Sequence, residues 1–281
     1  MAASSRLSVC ATPIGNLGDV TLRVLDTLAE ADVIAAEDTR VTSRLLARYD
    51  IRTPLEAYHA HNLVRRTPAL VERIAGGAHV ALVSDAGTPG VSDPGAHLVD
   101  ACLGEGLQVE VLPGPSAIIT ALVASGLPTH AFYFGGFLPR KAGERARRLA
   151  GLAELDATLI FYESPKRTAA TLAALAESLP GREACICREL TKVYEEVVRG
   201  PVDALAQEMG ERGALKGEVV VLVGPPSRGQ RELDEDEVRA RVEALVSEGI
   251  SRTEAIRRVA SELSVGRNEV YRIAHAYGGP E

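Results

Sequence analysis

Short runs of apolar residues alternate with amphipathic stretches in the first half of the chain. The runs predict buried strands, and apolar side chains recurring every three or four residues between them predict helices. The strands are expected at residues 7–11, 32–36, 79–84 and 108–112, and the helices at residues 21–31, 41–49, 68–75, 94–103 and 116–125. This alternation is typical of a parallel sheet with helices on its faces.

The same alternation continues after a break near Gly126. Strands are predicted at residues 132–135, 158–162, 184–190 and 218–223, with helices between them. We therefore expect an α/β fold with two α/β domains, the first over residues 1–125 and the second over residues 126–224. A Gly- and Pro-rich linker over residues 224–229 follows the second domain.

The last part of the chain, residues 234–281, has a pattern of three short helices. A stripe containing Val238 and Val242 ends at Gly249, and Ser251 with Glu254 forms a capping-box pattern at the start of the second helix. A tight turn at residues 265–268 precedes the third. Three short helices with a tight turn before the last resemble a helix-turn-helix module.

Composition and net charge limit the functions that the protein could have. Aromatic residues make up 4% of the chain and tryptophan is absent, so the core is expected to consist of Val, Leu, Ile and Ala, as in parallel sheets. The formal net charge is −7, which excludes a polycation that coats nucleic acid. Any contact with RNA must therefore come from local basic patches.

Neither a metal site nor a membrane span is predicted. Cys185 and Cys187 share one face of a predicted strand and are interpreted as buried, reduced thiols, because no second pair of ligands stands near them. His59 and His61 likewise lack a third ligand, and contact with RNA or a structural loop is favoured there. Residues 111–139 contain no charged side chain but are broken by Pro and Gly, so we expect a soluble, cytoplasmic protein.

Three loops rich in Gly and Pro follow predicted strands of the first half. They cover residues 12–19, 84–95 and 113–117. Ligands of α/β sheets bind at the carboxyl ends of the strands, so three such loops predict one shared pocket. The first loop lacks the Gly-x-Gly-x-x-Gly spacing, which argues against a dinucleotide-binding fold.

Five segments in matching order carry a family resemblance. They are residues 12–19 (TPIGNLGD), 37–40 (EDTR), 84–89 (SDAGTP), 113–117 (PGPSA) and 161–167 (FYESPKR). Together they resemble the tetrapyrrole methylase family, a class III S-adenosylmethionine-dependent methyltransferase family, and within it the branch that acts on small-subunit ribosomal RNA. The helical tail is also similar to the tail of that branch.

The resemblance implies a cofactor, a reaction and partners. It implies S-adenosylmethionine in a cleft between two domains, and 2'-O-methylation of a cytidine in the decoding region of 16S ribosomal RNA. The implied partners are 16S RNA or the 30S subunit and a second copy of the chain. The residues that it implies for cofactor contact are Pro13, Asp85, Gly87, Ser116, Ala117, Tyr162, Leu190 and Gly217.

Charged clusters beside the predicted cleft supply candidates for catalysis. Desolvation could make Lys166 a base, whereas Glu37 or Asp38 could orient the ribose. The alternative is that these side chains form ion pairs that hold loops. The catalytic candidates are Glu37, Asp38, Arg40, Glu163 and Lys166, and further charges lie at Arg167, Arg188, Glu189 and Lys192.

Two basic segments are candidates for RNA contact. One follows Phe137, and the other lies on the last two predicted helices of the tail. For the first the alternative is a solvated helix face, and for the tail it is a dimerisation module. The RNA-binding candidates are Arg140, Lys141, Arg145, Arg147 and Arg148 in the first segment and Arg267 and Arg272 in the tail.

Two other functions are compatible with the same sequence. One is carbon methylation in tetrapyrrole biosynthesis, which requires neither the basic segment nor the tail. The other is a regulator that senses a small molecule in its core and binds nucleic acid with its tail. Measured methyl transfer would separate the regulator from both enzymes.

Overall fold

The structure is a computed structural model that describes residues 5–213, 215–226, 235–263 and 267–275. The chain divides into two compact units, Met1–Pro226 and Ser227–Glu281. The described residues form two five-stranded sheets in the first unit and three helices in the second. This architecture confirms the predicted fold class.

The first sheet is parallel throughout, with the strand order β3-β2-β4-β1-β5. All its carboxyl ends therefore lie at one edge. Its strands are β1 (Arg6–Cys10), β2 (Val33–Ala36), β3 (Leu55–Ala57), β4 (His79–Val83) and β5 (Val109–Leu112). The helices of this half are α1 (Leu22–Glu30), α2 (Thr39–Arg48), α3 (Leu63–Ala75), α4 (Gly95–Gly104) and α5 (Ala117–Ser125).

The second sheet is mixed, with the order β6-β7-β10-β8-β9. Only β6 and β7 pair in parallel, and the other pairs are antiparallel. Its strands are β6 (Phe132–Phe137), β7 (Thr158–Glu163), β8 (Glu183–Arg188), β9 (Glu196–Pro201) and β10 (Val219–Val223). Helices α6 (Ala142–Ala150), α7 (Thr168–Ser178) and α8 (Val202–Arg212) connect them.

Both sheets are buried on their two faces, mainly by aliphatic side chains. In β1, Val9 packs in one cluster and Cys10 in another, because successive side chains point to opposite faces. In the second sheet Leu159 and Ile160 separate in the same way. The face that carries Ile160 is covered by α5 through Ala121 and Leu122. The aliphatic core predicted from composition is confirmed.

Three elements differ from the sequence predictions. Strands β3 and β9 were not predicted; both lie at sheet edges and contain no fully buried residue. Short edge strands lack the continuous apolar run of a central strand. Helix α3 begins at Leu63 rather than at residue 68, so Pro68 lies inside the helix instead of marking its start.

The second unit contains α9 (Glu235–Ser247), α10 (Arg252–Leu263) and α11 (Arg267–His275). Val238, Ile256 and Val270, one from each helix, are buried in a common cluster. The Ser251 hydroxyl accepts the Glu254 N–H at 3.4 Å, as the capping pattern predicts. The predicted turn at residues 265–268 falls partly outside the described residues. None of the described helices is long and apolar enough to cross a membrane.

Candidate cofactor and catalytic site

A cavity of about 560 Å³ lies where the carboxyl edge of the first sheet faces the second sheet. All three Gly- and Pro-rich loops contribute to its wall, through Ile14, residues 84–88 and residues 116–118. The second sheet contributes residues 162–165, residues 217–220, Phe137, Cys187 and Leu190. The volume falls within the range of roughly 300–1,000 Å³ that is usual for cofactor sites.

The structure brings most of the residues predicted to contact a cofactor into this wall. Pro13 is the exception, since it is buried and its neighbour Ile14 lines the cavity instead. Gly87 has a φ of 77°, a conformation that favours glycine. The predicted residues in the wall are Asp85, Gly87, Ser116, Ala117, Tyr162, Leu190 and Gly217.

Hydrogen bonds between loops fix the first-sheet side of the cavity. Thr12 and Gly87 form an isolated antiparallel bridge, and the Thr12 hydroxyl donates to the Ser84 carbonyl oxygen at 3.0 Å. Asp93 accepts the N–H groups of Gly90 and Gly95 at 2.8 and 2.7 Å. The loops after β1 and β4 therefore form one connected wall.

The carboxylates on this side differ in their electrostatics. Burial raises the pKa of Glu37, and the neighbouring charges of Asp85 and Asp93 add to that shift. Burial also raises the pKa of Asp85. Hydrogen bonds from Arg40 instead lower the pKa of Asp38 to about 2. Glu37 and Asp85 line the cavity, so the wall holds two carboxyl groups with an increased affinity for protons.

Asp38 and Arg40 form an ion pair beside the cavity. The Arg40 guanidinium contacts the Asp38 carboxylate at 2.5 Å, and the same carboxylate caps α2 by accepting the Arg40 N–H at 2.8 Å. The Arg40 side chain is exposed. This geometry matches the alternative in which the two charges hold a loop.

Two candidates in the segment after β7 have contrasting positions. Glu163 is buried, and its carboxylate accepts hydrogen bonds from the Thr171 hydroxyl at 2.6 Å and from the Ser164 N–H at 2.7 Å. The same carboxylate forms an ion pair with Arg167 at 3.2 Å. Its oxygens are thus engaged in anchoring α7. Lys166 is exposed and is not part of the cavity wall, so the desolvation that the base hypothesis requires is not found.

The loop that carries Leu190 is held in an unusual backbone conformation. Glu189 and Thr191 have φ values of 51° and 67°, which are uncommon for residues other than glycine. Lys192 binds Glu189 at 2.8 Å and Glu218 at 3.0 Å, and these contacts brace the loop against the start of β10. The hydrogen bond from Lys192 lowers the pKa of Glu189. Leu190 is thereby directed into the cavity.

Sequence reasoning missed several wall residues. Ser92 has a φ of 67°, and Asp93 follows it in the loop after β4. Their signal was available, because the sequence places both in a Gly- and Pro-rich loop. Ile118, Phe137 and Cys187 had no such signal, since an apolar side chain in a wall resembles one in a core.

The basic segment after β6 is only partly free for a ligand. Arg148 donates to the carbonyl oxygens of Gly135 and Phe137, and Lys141 pairs with Glu144 at 3.1 Å. Arg140 and Arg147 are exposed, and Arg145 is partly buried. In the second unit, Arg267 is exposed, and Arg272 pairs with Glu235 at 3.5 Å.

The structure shows where the Cys185–Cys187 and His59–His61 pairs lie. Cys185 and Cys187 are buried on one face of β8 with their sulfur atoms 3.8 Å apart, and the His59 and His61 rings are 5.9 Å apart. Among the residues that the structure describes, no group of three or more His, Cys, Asp and Glu side chains could hold a metal ion.

Known proteins with similar sequences identify the family of this chain. The family model for tetrapyrrole (corrin/porphyrin) methylases matches residues 6–206. A ribosomal RNA small subunit methyltransferase I from Mesorhizobium japonicum is 54% identical over 220 residues, 78% of this chain and 75% of that protein. The protein of the same name from Halalkalibacterium halodurans is 44% identical over 276 residues, 96% of this chain and 94% of that one.

A solved structure shows the same fold at lower identity. The uroporphyrin-III C-methyltransferase from Thermus thermophilus, complexed with S-adenosylhomocysteine, aligns with a TM-score of 0.57 and 21% identity. The alignment covers 79% of this chain and 99% of that one. The chain belongs to the tetrapyrrole methylase family of S-adenosylmethionine-dependent methyltransferases, in the branch of the ribosomal RNA small subunit methyltransferase I proteins.

Proposed function

We propose that this enzyme is a cytoplasmic 2'-O-methyltransferase that modifies a cytidine in the decoding region of 16S ribosomal RNA. The observation that carries the proposal is the extent of the similarity. The relative from Halalkalibacterium halodurans covers 96% of this chain, tail included, whereas the uroporphyrin-III methyltransferase covers 79%. The cytidine and the 2'-oxygen rest on the family resemblance of the five sequence segments.

The cavity fits S-adenosylmethionine. Bound there, this cofactor supplies a methyl group activated on a sulfonium cation. The carboxylates of Glu37 and Asp85 place negative charge in the wall, which attracts that cation. The first turn of α5, residues 117–118, also lines the cavity, and the N–H groups of a helix N-terminus favour an anion such as the carboxylate of a methionine moiety.

Glu37 is the best-placed proton acceptor among the catalytic candidates. The acceptor 2'-hydroxyl is a weak acid, and a carboxylate whose pKa is raised by burial is a stronger base than an exposed one. Asp38 and Arg40 would shape the rim through their ion pair, and Glu163 would hold the segment between Tyr162 and Pro165. Lys166 would act from the surface, in contact with RNA rather than with the methyl group.

Two separate regions are proposed to contact the RNA, the basic segment of the first unit and the tail in the second. Arg140, Lys141, Arg145 and Arg147 follow Phe137, which lines the cavity, so phosphates held by this segment would bring the strand close to the cofactor. Arg148 would contribute by fixing the backbone from which the segment starts. In the tail, Arg267 and Arg272 belong to α11, the proposed recognition helix.

A homodimer is proposed from an apolar surface on the first unit. A groove of about 440 Å³ is lined by Thr21, Ile119 and Thr191, among other residues. Exposed apolar side chains within three residues of a lining position are Leu22, Val123, Val193 and Tyr194. Val193 is 93% exposed, and a surface of this kind is typical of a protein interface.

The boundary between the two α/β domains stays a prediction at residues 125–126. The break falls after α5, which is adjacent in sequence to the first sheet but packs against the second. In this proposal the domains are residues 1–125 and 126–224, the cleft lies between them, and residues 234–281 form a separate helix-turn-helix-like module.

Methyl transfer to 30S subunits tests the function directly. Subunits from a strain that lacks this protein should accept label from S-adenosylmethionine at one ribose, and the site is located by mapping 2'-O-methylation. Uroporphyrinogen is offered in parallel as the acceptor of the competing carbon methyltransferase. Label on uroporphyrinogen with none on the subunits would overturn the proposal, and label on neither would support the regulator.

A further inference from the structure

Strand β6 contains an irregularity that determines where Phe137 points. Phe134 pairs with Ile160, and Phe137 pairs with Tyr162, so two residues of β6 stand opposite one residue of β7. This two-against-one arrangement is a β-bulge, and bulges beside functional sites redirect side chains. Gly136 in the bulge has a φ of 59°, and Gly135 has no room for a Cβ because it lies against the Phe161 ring.

The bulge moves Phe137 to the other face of the sheet. Phe134 and Tyr162 lie on the face that packs with Ile160, whereas Tyr133 and Phe161 lie on the opposite face. Side chains alternate along a regular strand, so regular pairing of residues 134–137 would put Phe137 on the face of Tyr133. With the bulge, the Phe137 ring lies 5.7 Å from the Tyr162 ring and lines the cavity.

Two arginines hold the backbone on either side of Phe137. Arg148 on α6 donates to the Gly135 and Phe137 carbonyl oxygens, and Arg167 donates to the Leu138 carbonyl oxygen at 2.9 Å. The ring is therefore presented by a fixed backbone rather than by a free loop. A fixed aromatic surface loses little conformational entropy when a ligand stacks on it.

The Phe137 ring also has a large free surface. It lines the cavity and yet is 53% exposed, so it stands at the mouth rather than in the interior. Arg140 and Lys141, both exposed, follow three and four residues later in the chain. The ring thus lies at the cavity mouth and, in sequence, next to cations suited to phosphates.

We propose that Phe137 stacks against the base of the nucleotide whose ribose receives the methyl group. This inference rests on the proposed function, because it takes RNA as the acceptor. Single-stranded or extruded bases are commonly held by stacking on aromatic side chains. A base held on Phe137 keeps its ribose at the cavity mouth while the following phosphates reach the basic segment. Since every base has a π-face, the contact positions the nucleotide without selecting cytidine.

The test separates RNA contact from cofactor contact. Steady-state methyl transfer is measured with unmethylated 30S subunits, and calorimetry gives the affinity for S-adenosylmethionine. Phe137→Ala is expected to lower kcat/KM for the subunits by roughly 5- to 150-fold, the range of base–aromatic stacking. Its affinity for S-adenosylmethionine should fall much less than kcat/KM, and Phe137→Tyr should restore most of the activity.

Two further variants make the result decisive. Phe132→Ala removes a 44% exposed ring at the other end of the same strand and should behave as the wild type. Phe137→Leu keeps an apolar side chain without a π-face and should remain close to Phe137→Ala. The proposal is overturned if cofactor affinity falls with kcat/KM, if neither changes, or if Phe137→Leu is fully active. Wild-type transfer to the subunits tests the proposed function separately, so the two can fail independently.

Discussion

The Asp38 backbone N–H donates to the Asp85 carboxylate at 2.9 Å and so joins the loop after β2 to the loop after β4. The Asp85 N–H in turn approaches a Glu37 carboxylate oxygen at 3.3 Å. Asp85 therefore has two tasks, because the carboxylate that accepts the Asp38 N–H also places negative charge on the cavity wall. The two tasks can be separated by substitution.

Asp85→Asn should retain the tether and remove the charge. An amide oxygen still accepts the Asp38 N–H, whereas attraction for a sulfonium cation is lost. We expect affinity for S-adenosylmethionine to fall about tenfold, which corresponds to about 1.4 kcal/mol, and affinity for S-adenosylhomocysteine, whose sulfur is uncharged, to fall less. Calorimetry with both ligands measures the difference. Asp85→Arg should abolish S-adenosylmethionine binding, and equal losses for both ligands in Asp85→Asn would contradict the electrostatic role.

Glu37→Gln should lower the single-turnover rate about 100-fold with little change in cofactor affinity, the effect expected for a lost general base. The wild-type rate should fall as the pH decreases through the raised pKa of Glu37, because the protonated carboxyl cannot accept a proton. The variant should lack this acidic limb. Lys166→Ala, measured alongside, identifies the base: a larger loss there than in Glu37→Gln would assign the role to Lys166.

His79 should make the folded protein less stable in acid. The side chain is buried, and its Nε2 lies 2.9 Å from the Ser8 hydroxyl oxygen. Burial lowers the pKa of His79, and the positive charge of Arg6 lowers it further. The negative charges of Asp32, Glu30 and Glu110 raise the pKa but do not reverse the shift. Below pH 6.5 the unfolded chain binds a proton at this residue that the folded chain does not, so the free energy of unfolding decreases.

The measurement is the unfolding free energy of wild type and His79→Gln between pH 7.5 and 5. One such proton contributes a slope of at most about 1.4 kcal/mol per pH unit, and the variant should lose that part of the slope. His130→Gln, an exposed histidine at the amino end of β6, is the matched control. Parallel curves for wild type and His79→Gln would rule out the assignment.

Removal of residues 227–281 should separate cofactor binding from RNA docking. The first compact unit ends at Pro226, so cofactor affinity should stay unchanged. Phosphate contacts release counterions, and the truncated protein should therefore show a shallower dependence of RNA affinity on salt. Replacing Arg267 and Arg272 by Gln should reproduce part of that change. An unchanged slope together with a reduced sedimentation coefficient would instead identify the tail as a dimerisation module.

The sequence predicts central elements better than edges. β4 is a continuous apolar run buried on both faces, and its predicted start at His79 is correct. β3 consists of half-buried residues at a sheet edge, so hydrophobicity does not distinguish it from a loop. The predicted start of α3 at residue 68 is five residues too late, because the helix begins at Leu63 and contains Pro68 in its second turn.

In the candidate site, too, the sequence predicts some residues well and others poorly. Residues that follow strands, such as Asp85 and Ser116, are located by topology alone, because the carboxyl ends of parallel strands meet at one edge. The difference between Glu163 and Glu37 depends on side-chain direction. Both residues line the cavity, but the Glu163 side chain is fully buried and accepts the Thr171 hydroxyl on α7, whereas Glu37 is half-buried. Adjacent charges in a sequence do not reveal which of them a helix will cover.

The cavity wall runs from Ile14 to Val220, nearly the full length of the first unit. A nascent chain therefore has no complete pocket until β10 has left the ribosome and inserted between β7 and β8. Ligand that binds only the finished pocket adds its binding free energy to the last step of folding rather than to the first. Cells with little cofactor should consequently accumulate a less stable apoprotein. Its susceptibility to proteases then depends on the cellular concentration of the cofactor as well as on the amino-acid sequence.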